Sequence, residues 1–495
     1  MNEELLIGVD IGTQGTKASV YRPDGNVLAH VFEESRLIYG PEESVEQDPE
    51  EIYGSVLRTV RCAVERSGIK ADAVAAIGID GQMAGIMAVD KDWNAVTPYD
   101  SWLDTRCGPY IAVMKEMAEE RIVRITGGQV TYAHGPKLLW WKKEWPEVYR
   151  RTAKFIQPSV YAAGKLCGLR AEDAFLDHTY LHFSGFADNM KREWSEELLE
   201  TFGVEKEKLP RIVNPSDVIG HLTPEAAREC GLTNRTIVAA GCGDSAASSL
   251  GCGITEPGML YDVAGTASVF SAATGEYAPD VEEKTILYAR SAIEDMWIPL
   301  AYLSGGGLCL RWFRDLMGLS YEELEKKAGE IPWGSDGLQF IPHFSGVTCP
   351  NMPGVKGGFL GLKWKHTVGH MYRSILESIV WEYANYYRIL QKNVKSLQAK
   401  GIYGVGGGTG SRLFCQMKAD VCGLPYMIME GSEAATWGSA VIAGKAAGIL
   451  PSLKSADVNR KISGVMPVNM ETNGKFSSFV LKYIRLLENV NHMGE

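Results

Sequence analysis

The sequence lacks the features that mark several large classes of protein. It has ten cysteines, but no C-x-x-C pair and no histidine at zinc spacing beside them, so neither a zinc module nor a disulfide framework is indicated. It has no dense run of Lys and Arg, and its 61 acids outnumber its 50 bases, which argues against a nucleic-acid surface. No apolar run approaches the roughly eighteen residues of a membrane helix. The N-terminal MNEELLIGVD, which opens with the two acids Glu3 and Glu4, is not typical of a signal peptide. We therefore expect a reduced, cytoplasmic protein with no nucleic-acid and no membrane partner.

Two common nucleotide-binding motifs are also missing. Gly-x-x-x-x-Gly-Lys is absent, which excludes a Walker loop, and no Gly-x-Gly-x-x-Gly opens a helix after the first strand, which argues against an NAD-binding dehydrogenase. Instead, GTQGTK (residues 12–17) follows an apolar run that ends at Asp10 and leads into an alternating segment with a turn at Pro23-Asp24-Gly25. This order predicts a glycine loop between two antiparallel strands of a hairpin.

The stretch from Thr236 to Phe270 contains two turns suited to ligand binding. An apolar strand from Ile237 to Ala240 enters a glycine turn that ends at Asp244, and a second strand ends at Gly265-Thr266. Glycine lets a ligand approach the backbone, and backbone N–H groups beside a threonine hydroxyl suit a phosphate. Capping of the following helix is the alternative role for Asp244.

Each half of the chain carries one Gly-Thr turn, Gly12-Thr13 and Gly265-Thr266. A duplicated βββαβ domain that encloses a nucleotide between two phosphate loops explains both turns. In the second half we predict a long helix with one apolar face after residue 368, a strand entering the glycine turn of 401–410, and an Ala- and Gly-rich helix between 430 and 450. Residues 137–235 are rich in helix patterns. We place the boundary near residue 255, which gives domains 1–254 and 255–495.

In combination, these segments resemble the FGGY carbohydrate kinases of the actin-like ATPase superfamily, and among them most closely the xylulose kinases. The likeness runs from Ile7 to about Leu450. One family signature is matched at Gly357 to Glu377 as G-x-F-x-G-L, seven residues, and H-M-x-x-S-I-L-E. A second, around Tyr132 to Glu144, is matched only partly. Eight further blocks agree in order: GVDIGTQGTK, SVEQDPE, GIDGQMAG, PKLLW, GCGDSA, GTAS, GGGTGSRLFCQMKAD and EAATWGSA.

The resemblance implies an α/β fold of two actin-like (ribonuclease-H-like) ATPase domains, with the active site in the cleft between them and ATP and Mg²⁺ as cofactors. It implies Asp244 as the catalytic base and Asp10 as the Mg²⁺ ligand. The residues expected at the nucleotide are Gly12, Thr13, Gln14, Lys17, Gly265, Thr266, Gly407, Gly408 and Ser411. Those expected at a small sugar or polyol are Gln82, Met83, Ala84, Asp104 and Arg106, together with Asp244. A homodimer is expected on the same ground.

The sugar side departs from the family pattern. Xylulose kinases have histidine where this chain has Ala84, and an alanine side chain donates no hydrogen bond to a sugar hydroxyl. FSGVTCPNMPG (344–354) also replaces the usual S-G-E-R-T-P-H run. D-xylulose is the first expected substrate, and L-xylulose, ribulose, gluconate or erythritol are the alternatives.

Several alternative roles stay open. Asp10 is alternatively a turn cap, Lys17 a solvated side chain, and Asp104 with Arg106 a plain salt-bridged loop. An actin-like ATPase or regulator without sugar transfer is a further alternative. The presence of Asp10, Asp244 and both Gly-Thr turns argues against that last reading.

Overall fold

The computed structural model describes residues 4–350, 352, 354–430, 433–469 and 476–494; positions 351 and 353 of the unusual 344–354 segment lie outside this set. The chain forms two compact units. Unit 1 comprises the described residues up to Thr255, Tyr288–Met296 and Glu433–Arg460. Unit 2 comprises those of Glu256–Leu287, Trp297–Ser432 and Lys461–Glu495. The sequence-based boundary near residue 255 thus differs from this division at 288–296 and 433–460, which pack with unit 1.

Unit 1 is built on a mixed sheet. The first three long strands form an antiparallel meander, and the strands Leu5–Ile11, Val74–Gly81 and Ile237–Ala239 run parallel. In order across the sheet the strands are Val218–His221, Ile237–Ala239, Val74–Gly81, Leu5–Ile11, Gly15–Tyr21 and Val27–Glu34, with Cys242–Gly243 also paired to Val74–Gly81. The predicted hairpin around the glycine loop is therefore confirmed.

Helices and short strands complete unit 1. The first helix begins at Pro49, and the Asp48 side chain accepts a hydrogen bond from Glu50 N. The helices are Pro49–Ser67, Gly108–Thr126, His134–Glu144, Pro146–Arg151, Pro158–Cys167, Leu181–Ser184, Glu196–Phe202, Pro224–Cys230, Asp244–Gly251 and Ala434–Ala446. The short strands are Ile38–Tyr39, Val45–Gln47, Met87–Val89, Tyr99–Asp100, Lys154–Ile156, Phe175–Asp177, Ala187–Asp188, Glu193–Trp194 and Arg211–Val213.

The Ala- and Gly-rich helix Ala434–Ala446 packs directly on the sheet of unit 1. A Cβ at Gly8 would lie 1.7 Å from Thr436 O, and one at Gly78 would lie 2.0 Å from Ser439 O. Any side chain at these two strand positions would force the helix off the sheet. This close approach is the physical reason why a segment so late in the chain belongs to unit 1.

Unit 2 repeats the topology of unit 1. Three antiparallel strands are followed by the predicted long helix, and the next strand returns parallel to the first, as a duplicated βββαβ domain requires. In order across the sheet the strands are Trp297–Leu303, Ser268–Ala272, Met259–Ala264, Gly401–Val405, Tyr426–Met429 and Ile462–Met466. The helices are Gly306–Met317, Tyr321–Gly329, Val368–Asn393, Arg412–Cys422 and Ser477–Gly494. Gln339–Ile341 pairs with Gly358–Leu360, and Leu287–Arg290 lies where the chain passes from unit 2 to unit 1.

A fully buried ion pair joins several elements of unit 2. Lys418 Nζ lies 2.6 Å from Asp262 Oδ2, and both side chains have no exposed surface. Tyr383 and Tyr426 each donate a phenolic hydrogen bond to the same carboxylate, at 2.7 and 2.6 Å. The Lys418 ammonium also lies 4.0 Å from the ring centre of Phe414. Asp262 precedes the Gly-Thr turn by three residues, so the pair fixes that turn relative to the helix that carries Lys418.

The part of the chain that the structure describes contains no helix with the length and apolar character needed to cross a membrane.

Replacing Lys418 by Met should destabilise the protein by about 3–5 kcal/mol, because the Asp262 charge would stay buried without its cation. Adding Asp262→Asn to Lys418→Met should recover part of that loss. Chemical denaturation of the wild type, the single variant and the double variant measures both effects. A single variant as stable as the wild type would contradict the assigned pairing.

His182 in unit 1 gives a second prediction. It is buried, and burial lowers its pKa to about 3. The unfolded histidine takes up its proton near pH 6.5, so between these values the unfolded state binds more protons and stability falls as the pH falls. His182→Phe removes this penalty. The stability of the variant relative to the wild type should rise by about 1.4 kcal/mol per pH unit below about pH 6.

Urea denaturation of both proteins at several pH values tests this expectation. Buried carboxylates, whose raised pKa has the opposite effect, are common to both proteins and cancel in the comparison. A stability difference that stays constant with pH would show that His182 is already protonated in the folded state.

Candidate active site

Three aspartates of unit 1 lie at the carboxyl ends of parallel strands. Asp10 is the next-to-last residue of the strand Leu5–Ile11 and is paired in register with Asp80 on the strand Val74–Gly81. Asp80 is in turn paired with Cys242, two residues before Asp244. The carboxyl edge of a parallel sheet is where α/β proteins bind ligands. The sheet register therefore brings the predicted metal ligand and the predicted base to one edge.

Burial and neighbouring carboxylates raise the pKa of Asp80 and of Asp244. Burial, followed by the Asp10 charge, raises the pKa of Asp244 to about 7. Burial and the charges of Asp10 and Asp244 hold the pKa of Asp80 well above its usual range, although the Ser439 hydroxyl donates to Asp80 Oδ2 at 2.6 Å. A carboxylate with a pKa near neutrality is poised to accept and release a proton.

Asp244 is held by its own loop. Gly243 is the N-cap residue of the helix Asp244–Gly251, and Asp244 Oδ1 accepts hydrogen bonds from Ser245 N at 2.6 Å and from Ser245 Oγ at 3.2 Å. Asp244 therefore also satisfies an N–H group of the first helical turn, which is the capping role considered as its alternative. Gly243 N donates to Thr179 Oγ1 at 2.9 Å, and the Tyr180 hydroxyl donates to the carbonyls of Gly81 and Cys242 at 3.1 and 3.3 Å. These bonds fix the ends of two strands beside Asp244.

The glycine loop of unit 1 forms a tight turn in which Gly12 N donates to the Gly15 carbonyl at 3.0 Å. Lys17 lies across the hairpin from Asp10, with 3.5 Å between Lys17 Nζ and Asp10 Oδ2. The lysine is therefore paired with the predicted metal ligand. Gln14 is exposed at the tip of the turn.

A hydrogen-bond chain links this loop to the segments predicted to face the sugar. Trp102 Nε1 donates to Thr13 Oγ1 at 2.8 Å, and Thr13 Oγ1 donates to Gln82 Oε1 at 3.1 Å. The Gln82 amide then donates to Gln47 Oε1 at 2.8 Å. Gln82 is buried, whereas the Trp102 side chain is 45% exposed. The exposed indole presents an apolar face beside the predicted phosphate loop.

His134, in the partly matched stretch around Tyr132 to Glu144, contacts the loop that carries Ala84. Its ring Nε2 donates to the Met83 carbonyl, next to half-exposed Ala84. Burial lowers the pKa of His134 to about 4, so the ring is neutral at physiological pH. His134 thus supports the backbone of this loop without adding charge to it.

Asp104 and Arg106 are bonded to their neighbours. The Arg106 guanidinium contacts the carboxylates of Glu46, Asp100 and Asp104 at 2.6, 3.1 and 2.7 Å. The oxygens of these three acids lie within 4.8 Å of one another, and Arg106 offsets their charge. Asp104 also accepts from Val45 N at 3.0 Å. This arrangement favours the salt-bridged loop that was the alternative reading.

Five residues predicted to bind nucleotide line one cavity of about 740 Å³ in unit 2. They are Gly265, Thr266, Gly407, Gly408 and Ser411. The N–H groups of Gly307 and Leu308 donate to the carbonyls of Gly265 and Thr266 at 3.1 and 3.0 Å, which braces the Gly-Thr turn. A Cβ at Gly408 would lie 2.8 Å from Ala264 Cβ, so the second loop approaches too closely for a side chain. The cavity has the size of a small-ligand pocket.

The carboxyl edge of unit 1 fits a hard divalent cation. Asp80 Oδ1 is buried and contacts no hydrogen-bond donor among the described residues. Asp10 is 8% exposed and provides a second carboxylate at the same edge. Carboxylate oxygens and water are the ligands that Mg²⁺ prefers.

Some of these residues were not found from the sequence. Asp80, Thr179, Tyr180, Trp102 and Gln47 received no role there. Asp80 carried a usable signal, because GIDG repeats the strand-end aspartate of GVDIG. Tyr180 lies far from the motifs in sequence, and Gln47, although part of SVEQDPE, lies 35 residues from its partner Gln82, so only the fold brings them to the site.

Comparison with known proteins agrees with this architecture. Residues 5–251 match the N-terminal domain model, and residues 260–447 the C-terminal domain model, of the FGGY family of carbohydrate kinases. The xylulose kinase of Bacillus subtilis (strain 168) is 26% identical over 460 residues, covering 91% of this chain and 90% of that protein. The gluconokinase of the same organism is 26% identical over 465 residues, covering 90% and 88%. A solved ligand-bound xylulose kinase from Lactobacillus acidophilus has a TM-score of 0.90 at 23% identity, covering 98% of both chains, and so shares the fold.

Proposed function

The chain belongs to the FGGY family of carbohydrate kinases, and we propose that it transfers the γ-phosphate of ATP to a hydroxyl of a small ketose or polyol, with D-xylulose as the first candidate. The family makes it a phosphotransferase, with ATP implied as the phosphate donor. The observation that carries the proposal is the carboxyl edge of unit 1, where Asp244 has a pKa of about 7 beside Asp10.

In this reaction Asp244 is the general base. The substrate hydroxyl oxygen attacks the γ-phosphorus, the bond from that phosphorus to the oxygen bridging it to the β-phosphate breaks, and ADP leaves. The hydroxyl proton passes to the Asp244 carboxylate. A base with a pKa near 7 is ionised often enough to accept the proton and releases it readily to solvent afterwards.

Asp10 is the proposed holder of Mg²⁺, and Asp80 is a second buried carboxylate at the same edge. When bound, Mg²⁺ would offset the charge of the phosphates. The Asp10 carboxylate is oriented by its strand and by Lys17, whose ammonium lies 3.5 Å away.

The nucleotide is proposed to occupy the unit 2 cavity. Gly265 and Thr266 offer backbone N–H groups and a hydroxyl to the phosphates, and the second loop with Gly407, Gly408 and Ser411 borders the nucleoside. Four residues of the unit 1 glycine loop and the strand after it are proposed to face the transferred phosphate: Gly12, Thr13, Gln14 and Lys17.

For the sugar, Gln82, Met83, Ala84 and Asp244 remain the proposed contacts. Because Asp104 and Arg106 bond each other and their acidic neighbours, we assign them the support of the loop that carries Trp102. The gluconokinase relative matches this chain at the same identity as the xylulose kinase, so a sugar acid is the second candidate substrate.

Replacing Asp244 by Asn removes the base without changing side-chain size. Sugar-dependent ADP release should fall by roughly 100- to 10,000-fold, while ADP affinity measured by calorimetry stays close to wild type. In the wild type, kcat/KM for the sugar should fall as the pH drops below about 7, since Asp244 becomes protonated. Asp90→Asn, at a turn-capping carboxylate of the same unit, is the control. Normal turnover by Asp244→Asn would refute the assigned base.

Replacing Ala84 by His introduces the histidine of the xylulose kinases into the loop that is proposed to contact the sugar. An imidazole there adds a donor for a sugar hydroxyl, so kcat/KM for D-xylulose should rise by about 10-fold or more relative to gluconate. Steady-state kinetics with both sugars measure the ratio, and Ala84→Leu controls for side-chain volume. An unchanged ratio would mean that other residues set the preference.

A further inference from the structure

The charged residues of the unit 2 cavity lie on two different helices. Of the described residues that line it, three carry charge: Arg311, Glu322 and Glu325. Arg311 lies on the helix Gly306–Met317, four residues, or about one turn, after Gly307, whose N–H braces the Gly-Thr turn. Glu322 and Glu325 lie three residues apart on the helix Tyr321–Gly329, and so on one face of it. Arg311 is therefore tied to the Gly-Thr turn through its helix, and Glu325 lies beside Ser411 of the second loop.

The positions of Arg311 and Glu325 orient a nucleotide in the cavity. A triphosphate carries several negative charges and is repelled by two glutamates, whereas the glycine turn, the Thr266 hydroxyl and Arg311 attract it. The purine base of the nucleotide is then placed near Glu325. Three aromatic residues line the same cavity: Tyr321, Tyr372 and Phe414. Of these, Tyr321 is 38% exposed and offers a ring on which a purine can stack, whereas the other two are buried.

The Glu325 carboxylate is the hydrogen-bond acceptor in this part of the unit 2 cavity. Ser411 Oγ accepts a hydrogen bond from Phe414 N at 3.1 Å, which leaves its proton for Glu325. Burial raises the pKa of Glu325, and the bond from Ser411 opposes that rise. An ionised carboxylate accepts hydrogen bonds and donates none. A ligand group placed against Glu325 must therefore be a donor.

We propose that Glu325 accepts a hydrogen bond from the 6-amino group of adenine and makes the enzyme select ATP over GTP and ITP. Adenine presents an N–H₂ donor at its 6-position, whereas guanine and hypoxanthine present an oxygen acceptor there. An acceptor facing an acceptor leaves two polar groups unpaired in a partly buried site, which costs affinity. This inference deepens the proposed function and rests on it, because it takes the unit 2 cavity as the nucleotide site.

The test compares ATP and ITP, which differ at the 6-position. With the wild type and saturating sugar, kcat/KM for ATP should exceed that for ITP by about 10-fold or more. In Glu325→Gln the amide can present either its oxygen or its N–H₂ group, so the ATP/ITP ratio should fall by about 10-fold. The KM for the sugar should not change. Equal use of ATP and ITP by the wild type would overturn the proposal.

Glu322→Gln is the matched control, because it removes the same charge from the same cavity. A through-space charge effect acts equally on ATP and ITP, so this variant should keep the wild-type ratio. If Glu322→Gln shifts the ratio as much as Glu325→Gln does, or if Glu325→Gln leaves it unchanged, Glu325 does not read the base.

Calorimetric titration with ADP and IDP in the absence of sugar separates this inference from the proposed function. Selective ADP binding that is lost in Glu325→Gln supports the assignment even if no sugar is phosphorylated. Sugar phosphorylation together with equal binding of ADP and IDP by the wild type would overturn the assignment and leave the kinase function standing.

Discussion

Like charges held together at a buried edge govern the chemistry of unit 1. The register of three parallel segments places Asp10, Asp80 and Asp244 at one carboxyl edge, and mutual repulsion with burial raises the pKa of Asp80 and of Asp244. The edge can lower this electrostatic cost by protonation or by taking up a cation. Both responses are useful to a phosphotransferase, because one supplies a base near neutral pH and the other a holder for a metal–phosphate complex.

The close contact between sheet and helix makes this edge rigid. Gly8 and Gly78 let the helix Ala434–Ala446 reach the sheet, and that helix supplies Ser439, the hydrogen-bond donor to Asp80. Thr179 and Tyr180, which precede Asp244 in the sequence, hold the ends of the strands next to it. The carboxylates at this edge are thus fixed by segments that are remote from them in sequence.

Much of this could be predicted from the sequence. Glycine turns after apolar strands located Asp10, Asp244 and both Gly-Thr turns, because turn chemistry is local. The duplicated βββαβ topology followed from the two turns and is confirmed. The affiliation of residues 433–460 with unit 1 was not foreseen, since it depends on which sheet has glycines to receive a helix.

The pairing of side chains was harder to predict than the position of motifs. Arg106 bonds three acids that are spread over about sixty residues of sequence, and only the fold shows that they meet. The charges that line the unit 2 cavity likewise lie on two helices, Gly306–Met317 and Tyr321–Gly329, that carry no recognised motif.

The central claim is that this chain couples ATP cleavage to a sugar hydroxyl. The most direct measurement is ADP release by the purified protein with Mg-ATP, with and without each member of a panel of ketoses, polyols and sugar acids. The account predicts that one compound, D-xylulose first among them, raises ADP release far above the sugar-free rate and is itself recovered as a phosphate ester. ADP release that no compound in the panel increases would contradict sugar transfer and favour an actin-like ATPase without a sugar substrate.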